Sequence, residues 1–275
     1  DPWHLATYIG PVNVVAARDN IRAYIDAARA EGRVLKEHVA PEQGNFIGPT
    51  VLRVRGISDM PREIFGPVLH IATFKAHEID AVIDAINATG YGLTFGLHSR
   101  IDDRVQRITE RLHVGNTYVN RNQIGAVVGS QPFGGEALSG TGPKAGGPHY
   151  LTRFTCPPHA AGETDDRRTT TEAVAHALAV PPVPAAPVTY DLPGPTGESN
   201  RLSLVARAPL LCLGPGRAAA EGQAKAVQAL GGVAVEAPGL DPQALTRLDG
   251  FSGALRWGEP QAGRALAQAL AARPG

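Results

Sequence analysis

Cysteine is scarce in this sequence of 275 residues, which contains only Cys156 and Cys212. Two cysteines so far apart form no CxxC pair, no zinc cluster and no disulfide framework, so those classes of protein are excluded. This usage is typical of a reducing cytosol, and we expect a cytoplasmic protein. We interpret both cysteines as structural, and we expect no metal site.

Excess charge and long apolar runs are missing too. The 26 Lys and Arg balance 26 Asp and Glu, which leaves no basic surplus to neutralise phosphates, so we expect no nucleic-acid partner. No apolar run approaches the roughly 18 residues of a membrane span, and the first residues lack the form of a signal peptide. The chain starts at Asp1 and stops at ARPG just after a helical pattern. We therefore expect both ends to be cuts in a longer protein.

What the sequence does have is a regular exchange of helix and strand patterns. Apolar residues at helical spacing predict helices at 20–31, 79–90 and 101–112. The first of these has Asp19 or Asn20 as its expected cap and Gly32 as its stop. Runs of β-type residues predict strands at 69–74, 93–98 and 114–120. This alternation predicts an α/β layer with largely parallel strands.

Proline sets the middle of the chain apart. Residues 156–200 contain Pro157-Pro158, a polar run and a proline-rich stretch, and we interpret them as a linker with at most one helix, at 171–180. The pattern then restarts with predicted strands at 210–213, 233–236 and 251–257 and predicted helices at 217–230 and 261–272. The sequence thus predicts three parts: 1–155, the linker 156–200, and a truncated α/β domain at 201–275.

A carboxylate, an aromatic ring and a Gly-Pro turn lie together in the segment EIFGPV at 63–68. A carboxylate such as Glu63 can accept hydrogen bonds from both hydroxyls of a ribose, and a ring such as Phe65 can pack against a sugar or a base. The alternative is a surface glutamate and a core phenylalanine before a turn. The spacing alone leaves both interpretations open.

A long glycine-rich loop follows the predicted strand that ends at Asn120. Its backbone N–H groups are suited to cradle an anion, and Phe133 adds an apolar anchor that a mere connection does not need. Lys144 and Arg121 either add positive charge or are solvated surface residues. The alternative is a flexible connection.

Several segments of the sequence resemble a known protein family. The segments GNFIGPTVL, EIFGPV, NATGYGLT, VGNTYVN and QPFGGEALSGTG resemble, in order, the C-terminal half of the aldehyde dehydrogenase superfamily. Within it, NRNQIGAVVGSQPFGGEALSGTGPKAGG and LPGPTGESN resemble the bifunctional proline utilization A family, which joins proline dehydrogenase to glutamate γ-semialdehyde dehydrogenase. The resemblance covers nearly all of 1–155 and, more thinly, 190–213. It implies the α/β fold of the catalytic part of an aldehyde dehydrogenase, followed by the linker and a Rossmann-like domain.

The resemblance also implies a chemistry, the NAD-dependent oxidation of glutamate γ-semialdehyde to glutamate. In that family a Cys thiolate attacks the aldehyde and a Glu activates the hydrolytic water. Both residues would lie upstream of this chain, since neither Cys156 nor Cys212 matches the nucleophile motif. We therefore expect no catalytic residue in this fragment, and we expect the fragment alone to be inactive.

The implied site residues line the wall of that site. Glu63 would accept the ribose hydroxyls of NAD and Phe65 would lie against the nicotinamide half. Gly125 and Ala126 would anchor the substrate carboxylate, and Phe133 would pack on its aliphatic stem. The family often has Ser where Ala126 stands, so the anchor here would rest on backbone N–H groups.

Two further features concern assembly. The strand-like residues 149–154 resemble the protruding oligomerisation flap of the family, whose unpaired edge needs a partner. Residues 214–219 match the G-x-G-x-x-A fingerprint, and Glu236 ends the next predicted strand. This predicts a second dinucleotide site, but Pro215 removes an N–H from the turn, and the related domain resembles a dehydrogenase fold kept for assembly.

Three functions remain open at this stage: the glutamate γ-semialdehyde dehydrogenase, another NAD-dependent aldehyde dehydrogenase, and a noncatalytic assembly module. The expected cofactors are NAD and, in the missing proline dehydrogenase part, FAD. The expected partners are a small-molecule substrate, the missing N-terminal domains and further copies in a homo-oligomer. Peripheral membrane association of the intact protein stays open.

Overall fold

The computed structural model describes residues 4–155, 165, 168–180, 183 and 186–273. These residues form two compact units, of which the first ends at Arg121 and the second begins at Asn122. The domain boundaries predicted after 155 and 200 stay a prediction. Cys156 lies outside the described residues.

The first unit opens with a helix packed on a small sheet. Helix α1 (Val15–Ala30) buries one stripe of its surface, formed by Ile21, Ile25 and Ala28. The helix starts earlier than predicted, so Asp19 and Asn20 lie inside it instead of capping it, while Gly32 follows its end with φ 69° as expected. The sheet beside it contains β1 (Val34–Glu37), β2 (Thr50–Arg53) and β3 (Val68–Ile71). Its order is β1-β2-β3, with β1 antiparallel to β2 and β2 parallel to β3.

The rest of the first unit repeats the strand and helix alternation. Its elements are α2 (Ile79–Asn87), β4 (Tyr91–Gly92), β5 (Thr94–Leu97), α3 (Asp102–Arg111) and β6 (Asn116–Val119). Strands β5 and β6 pair in parallel. Ile83 of α2 packs with Ile108 and Leu112, so the apolar periodicity of both helices faces one core. Short 3-10 helices cover Ile57–Asp59 and Ala76–Glu78.

The second unit begins with the glycine-rich loop and continues through mixed elements. These are β7 (Glu136–Ala137), a 3-10 helix (Tyr150–Phe154), α4 (Thr171–Ala179), β8 (Val188–Leu192) and β9 (Asn200–Leu204). Strands β8 and β9 form an antiparallel hairpin in which Leu192 pairs with Asn200. The hydroxyl of Thr170 accepts a hydrogen bond from the Ala173 N–H and caps α4.

The end of the second unit is a small parallel α/β layer. It contains β10 (Leu210–Cys212), α5 (Gly216–Ala229), β11 (Ala234–Glu236), a 3-10 helix (Pro242–Thr246), β12 (Gly253–Leu255) and α6 (Pro260–Ala271). The sheet order is β11-β10-β12, and both pairings are parallel. Leu211 and Leu245 lie fully buried in its core. The predicted α/β class is therefore confirmed.

The predicted strand at 149–154 is wrong. Residues 150–154 form a 3-10 helix, so they offer no open strand edge here. Hydroxyl groups favour the helical turn locally, since Thr152 Oγ1 donates to the carbonyl of His149 and Thr155 Oγ1 donates to the carbonyl of Thr152. The rings of Tyr150 and Phe154 also meet edge to face across one turn.

The expectation of a linker with at most one helix is wrong in its last part. Helix α4 lies where predicted, but strand β8 and the turn that leads to β9 occupy residues 188–199. The prolines flank this hairpin strand and leave its five residues, VTYDL, free of proline. A count of prolines over the whole stretch therefore concealed a strand.

Candidate functional site

Glu63 and Phe65 both face solvent from the loop that leads into β3. Phe65 is 84% exposed and Glu63 is exposed, while Ile64 between them packs against the core cluster formed by Ile21, Ile25 and Ile47. Ile64 is partly buried, and both of its neighbours are exposed. This arrangement puts a carboxylate and an aromatic face on the same exposed loop, so a nucleoside would find a hydrogen-bond acceptor for its ribose hydroxyls and a ring to pack against.

The loop holds this arrangement through a close approach at Gly66. A Cβ placed on Gly66 would lie 2.5 Å from Ile21 Cδ1 on α1. The Val68 N–H donates to the Gly66 carbonyl, and the Thr50 N–H donates to the Pro67 carbonyl, which fixes the turn onto β2. Only glycine lets the backbone lie this close to the helix.

Gly125 and Ala126 lie exposed between two anchored peptide groups. Gly125 has φ 76°, a conformation that favours glycine, and a Cβ placed there would meet no atom within 4 Å. On one side the Ile124 N–H donates to Asn122 Oδ1 at 3.2 Å. On the other side the Val127 N–H donates to Gln131 Oε1 at 3.1 Å. The flanking N–H groups are thus bound inside the loop, and the segment between them has a defined backbone.

The backbone of Phe133 pairs with that of Ala145. Its N–H and carbonyl pair with the carbonyl and N–H of Ala145, at 3.0 Å and 2.8 Å, and so join the two ends of the glycine-rich loop. Lys144 Nζ donates to the Gly134 carbonyl at 2.7 Å, and burial lowers the pKa of this amine although Glu136 opposes the shift. Lys144 therefore closes the loop.

Two residues of this region were missed by the sequence analysis. Asn120 has φ 56°, and its side-chain amide bonds both backbone groups of Ser99, each at 3.0 Å. Gln131 is buried, 8% exposed, and its amide joins the turn at 127–131 to other parts of the second unit. Asparagine after a strand is a signal for a left-handed residue. A lone glutamine in a polar loop gives no comparable signal.

The fingerprint at 214–219 has the expected location, between β10 and α5, but its loop is filled by the protein itself. The side-chain amide of Gln223, which is fully buried, accepts from the Gly214 N–H and donates to the Gly214 carbonyl. Asp165 Oδ2 accepts from the Arg217 N–H at 2.8 Å, where a phosphate would contact the first turn of the helix. Glu236 ends β11 as predicted. These contacts do not favour a second dinucleotide site.

Cys212 is a buried, free thiol in β10. Burial, with a smaller contribution from Glu236, raises the pKa of Cys212 to about 11. A thiol with so high a pKa is a poor nucleophile near neutral pH. This agrees with its interpretation as structural.

The described parts of the chain hold no cluster of three or more His, Cys, Asp or Glu side chains suited to a metal ion. Within the same residues, no helix combines the length and the apolar character that a membrane span requires.

The sequence-predicted site residues fall into two groups. Glu63 and Phe65 belong to the first unit, and Gly125, Ala126 and Phe133 belong to the second. Their assignment to NAD and to the substrate stays a prediction.

Comparison with known proteins adds the following matches. The profile of the aldehyde dehydrogenase family matches residues 1–158. The bifunctional protein PutA of Rhizobium meliloti is 39% identical over 97% of this chain and 25% of its own length. The 1-pyrroline-5-carboxylate dehydrogenase of Bacillus thuringiensis is 43% identical over 55% of this chain and 30% of its own length.

A solved structure matches as well. The crystal structure of a proline utilization A variant from Bradyrhizobium japonicum aligns with a TM-score of 0.52 and 51% identity, over 54% of this chain and 15% of that chain. The chain spans 25% and 20% of the length of the bifunctional relatives from Rhizobium meliloti and Klebsiella aerogenes. These matches confirm the resemblance to aldehyde dehydrogenases and to proline utilization A.

Proposed function

The chain belongs to the aldehyde dehydrogenase family, and from that premise we propose that it is part of a bifunctional enzyme of proline catabolism. Its reaction would be the NAD-dependent oxidation of glutamate γ-semialdehyde, with water, to glutamate. The observation that carries this proposal is the extent of similarity. The single-function dehydrogenase matches 55% of the chain, whereas the bifunctional protein matches 97%. A different aldehyde dehydrogenase would not account for the similarity beyond the dehydrogenase region.

Glu63 and Phe65 are the proposed cofactor-binding residues of this chain. Their solvent-facing position on a loop fixed by Gly66 fits a nucleoside, because the carboxylate can accept from both ribose hydroxyls and the ring can pack beside them. When bound, the nicotinamide supplies the hydride acceptor. The role of Glu63 is to orient the cofactor, and it takes no part in proton transfer.

Gly125 and Ala126 are the proposed anchor for the substrate carboxylate. Backbone N–H groups can bind an anion without a buried counter-charge, and the hydrogen bonds of the Ile124 and Val127 N–H groups fix the backbone on both sides of Gly125 and Ala126. Phe133 would pack beside the methylene groups of the substrate. Together these residues would select an aldehyde with a carboxylate at its far end.

The nucleophile and the general base are proposed to come from parts of the protein outside this chain. Cys212 is unsuited because it is buried and its thiol has a raised pKa. FAD would bind in the proline dehydrogenase part, and homo-oligomer formation and a cytoplasmic location also remain proposals. The contacts of Gln223 with Gly214 do not favour a second redox site, and a role in assembly stays the proposal for residues 201–275.

The test is an activity assay on the product of the intact gene. With glutamate γ-semialdehyde and NAD it should form NADH, measured by absorbance, and an aldehyde of similar length without a carboxylate should react less efficiently. The 275-residue chain alone should form no NADH under the same conditions. An intact protein that ignores the semialdehyde but oxidises other aldehydes would overturn the proposed substrate.

A further inference from the structure

The glycine-rich loop is tied to the β8–β9 hairpin by one buried side chain. Gln131 closes the turn at 127–131 twice, because its own N–H donates to the Val127 carbonyl at 2.8 Å and its Oε1 accepts from the Val127 N–H at 3.1 Å. Its Nε2 donates in the other direction, to Glu198 Oε1 at 3.0 Å and to Asn200 Oδ1 at 3.3 Å. The side-chain amide of Gln131 therefore donates both of its hydrogen bonds to the hairpin and accepts one from the loop.

The hairpin side of this network is itself well defined. Asn200 Nδ2 donates to Glu198 Oε1 at 3.0 Å and to the Pro193 carbonyl at 3.1 Å. A Cβ placed on Gly194 would lie 2.5 Å from Asn200 Nδ2, so the turn is shaped closely around this amide. Asn200 also opens β9 opposite Leu192, at the base of five consecutive cross-strand pairs. The hairpin thus presents a carboxylate and a carbonyl oxygen at fixed positions.

We propose that Gln131 is a positioning residue that sets the backbone of the substrate-anchoring segment 124–128 from the 193–200 turn through Glu198 and Asn200. This inference rests on the proposed function, because it takes Gly125 and Ala126 as the anchor for the substrate carboxylate. Hydrogen bonds to a carboxylate are directional and strong, and Glu198 is partly buried, so the position of Val127 follows that of Glu198. Gln131 itself does not contact the substrate.

The carboxylate of Glu198 makes the pairing selective for an amide at 131. In Gln131→Glu the side chain keeps its size and can still accept from the Val127 N–H. It loses both donors, however, and places a second carboxylate against Glu198, which repels it. In the double variant Gln131→Glu/Glu198→Gln the donor moves to the other side chain, so that the amide at 198 donates to the carboxylate at 131. Asn200 must then turn its amide and give up the Pro193 bond, so the recovery should be large but incomplete.

The experiment uses the product of the intact gene and three variants: Gln131→Glu, the double variant, and Gln123→Glu, which adds the same charge at an exposed position of the same loop. Gln131→Glu should raise KM for glutamate γ-semialdehyde by roughly 10- to 100-fold, the range expected for a misplaced charged contact, with a smaller change in kcat. KM for pentanal, which has no carboxylate, should change less than about twofold, since it gains nothing from the anchor. The double variant should recover most of the loss, and Gln123→Glu should resemble the parent.

A second readout is independent of activity. Hydrogen exchange of the backbone amides at 124–131 should become faster in Gln131→Glu and slower again in the double variant. If the double variant recovers neither KM nor exchange, or if both aldehydes lose activity equally, the proposed positioning role is wrong while the enzymatic proposal stands. If the parent enzyme does not oxidise the semialdehyde, the proposed function fails, and the exchange measurement alone decides whether Gln131 positions the loop.

Discussion

The side chain of Gln223 takes both hydrogen-bonding groups of Gly214. Its Oε1 accepts from the Gly214 N–H at 3.0 Å, and its Nε2 donates to the Gly214 carbonyl at 2.8 Å. A cofactor phosphate would need the loop that this amide fills. The glycine fingerprint thus serves a closed strand-to-helix turn, in which a side chain of the same helix replaces the ligand.

Gln223→Leu should therefore destabilise the second unit. The buried Gly214 N–H would lose its partner, while the Gly214 carbonyl would keep the hydrogen bond from the Trp257 N–H. We expect a cost of about 1–3 kcal/mol in the free energy of unfolding. Urea unfolding of the 275-residue chain would measure it. Gln228→Leu, on the exposed face of the same helix, is the matched control and should change the free energy by less than about 0.5 kcal/mol. Equal effects of the two substitutions on the free energy of unfolding would show that the Gln223–Gly214 hydrogen bonds do not stabilise the second unit.

Binding of NAD should depend on Glu63 and not on the fingerprint. Glu63→Gln keeps the size of the side chain but weakens its hydrogen bonds to the ribose, so the affinity for NAD should fall by about 1–3 kcal/mol. Gly216→Ala should leave the affinity and the number of bound NAD molecules unchanged. Calorimetric titration of the intact protein measures both quantities. A second NAD site that disappears in Gly216→Ala would contradict our interpretation of the turn.

Much of the fold was predictable because the apolar periodicity is strong where helices meet a core. Ile83 and Ile108 follow it, and α2 and α3 end within a few residues of their predicted bounds. The 149–154 segment failed because β-type residues form a strand only where a neighbouring strand is present. Its Thr hydroxyls favoured a 3-10 turn instead.

Sequence alone could nominate residues of the candidate site where a residue type has a chemical meaning of its own, and their roles stay predictions. The carboxylate Glu63 and the glycine at 125 belong to this class, and the structure gives both an exposed position. Gln131 and Gln223 were not predictable, because each acts through partners that are distant in sequence. An amide side chain has no charge or periodicity that would indicate such a partner.

The close approach of Gly66 to α1 should control both stability and cofactor binding. In Gly66→Ala the new methyl group would meet Ile21 Cδ1 at 2.5 Å, and this overpacking should cost about 1–3 kcal/mol. The displaced loop should also raise KM for NAD. Ile21→Val removes Cδ1, so the double variant should be more stable than Gly66→Ala alone although Ile21→Val by itself costs about 0.5–1.5 kcal/mol. Thermal unfolding of the four proteins gives the coupling, and strictly additive effects would contradict the contact.

Stability should fall in mildly acidic solution because of His70. Its Nε2 lies 2.8 Å from the Tyr24 hydroxyl, and burial, aided by Arg33, holds the pKa of the imidazole below its ordinary value of 6.5. The unfolded chain then binds the proton more readily than the folded one. The contribution of the neutral His70 imidazole to the free energy of unfolding is complete above pH 6.5. It is lost as the pH falls from there through the lower pKa of the folded state.

The measurement is the free energy of unfolding of the 275-residue chain as a function of pH between about 8 and 5, across the titration range of histidine. His70→Gln should flatten the decline on the acid side. The same substitution at the exposed His77 is the control. An acid-side decline that is identical in His70→Gln and in the parent would assign the loss to other groups.

Gly125 provides the most direct test of the substrate anchor. Its φ of 76° costs a residue with a side chain about 1–2 kcal/mol, and the space around its Cβ position is open, so Gly125→Ala changes the backbone and little else. We expect kcat/KM for glutamate γ-semialdehyde to fall by roughly tenfold, the equivalent of about 1.4 kcal/mol, while pentanal is affected far less. Gly32→Ala is the matched control, because Gly32 has φ 69° and equally open surroundings at the end of α1. It should carry the same backbone strain and leave kcat/KM for both aldehydes unchanged. If Gly125→Ala lowers kcat/KM equally for both aldehydes, Gly125 shapes the loop without recognising the carboxylate. The selectivity of the enzyme must then come from other residues.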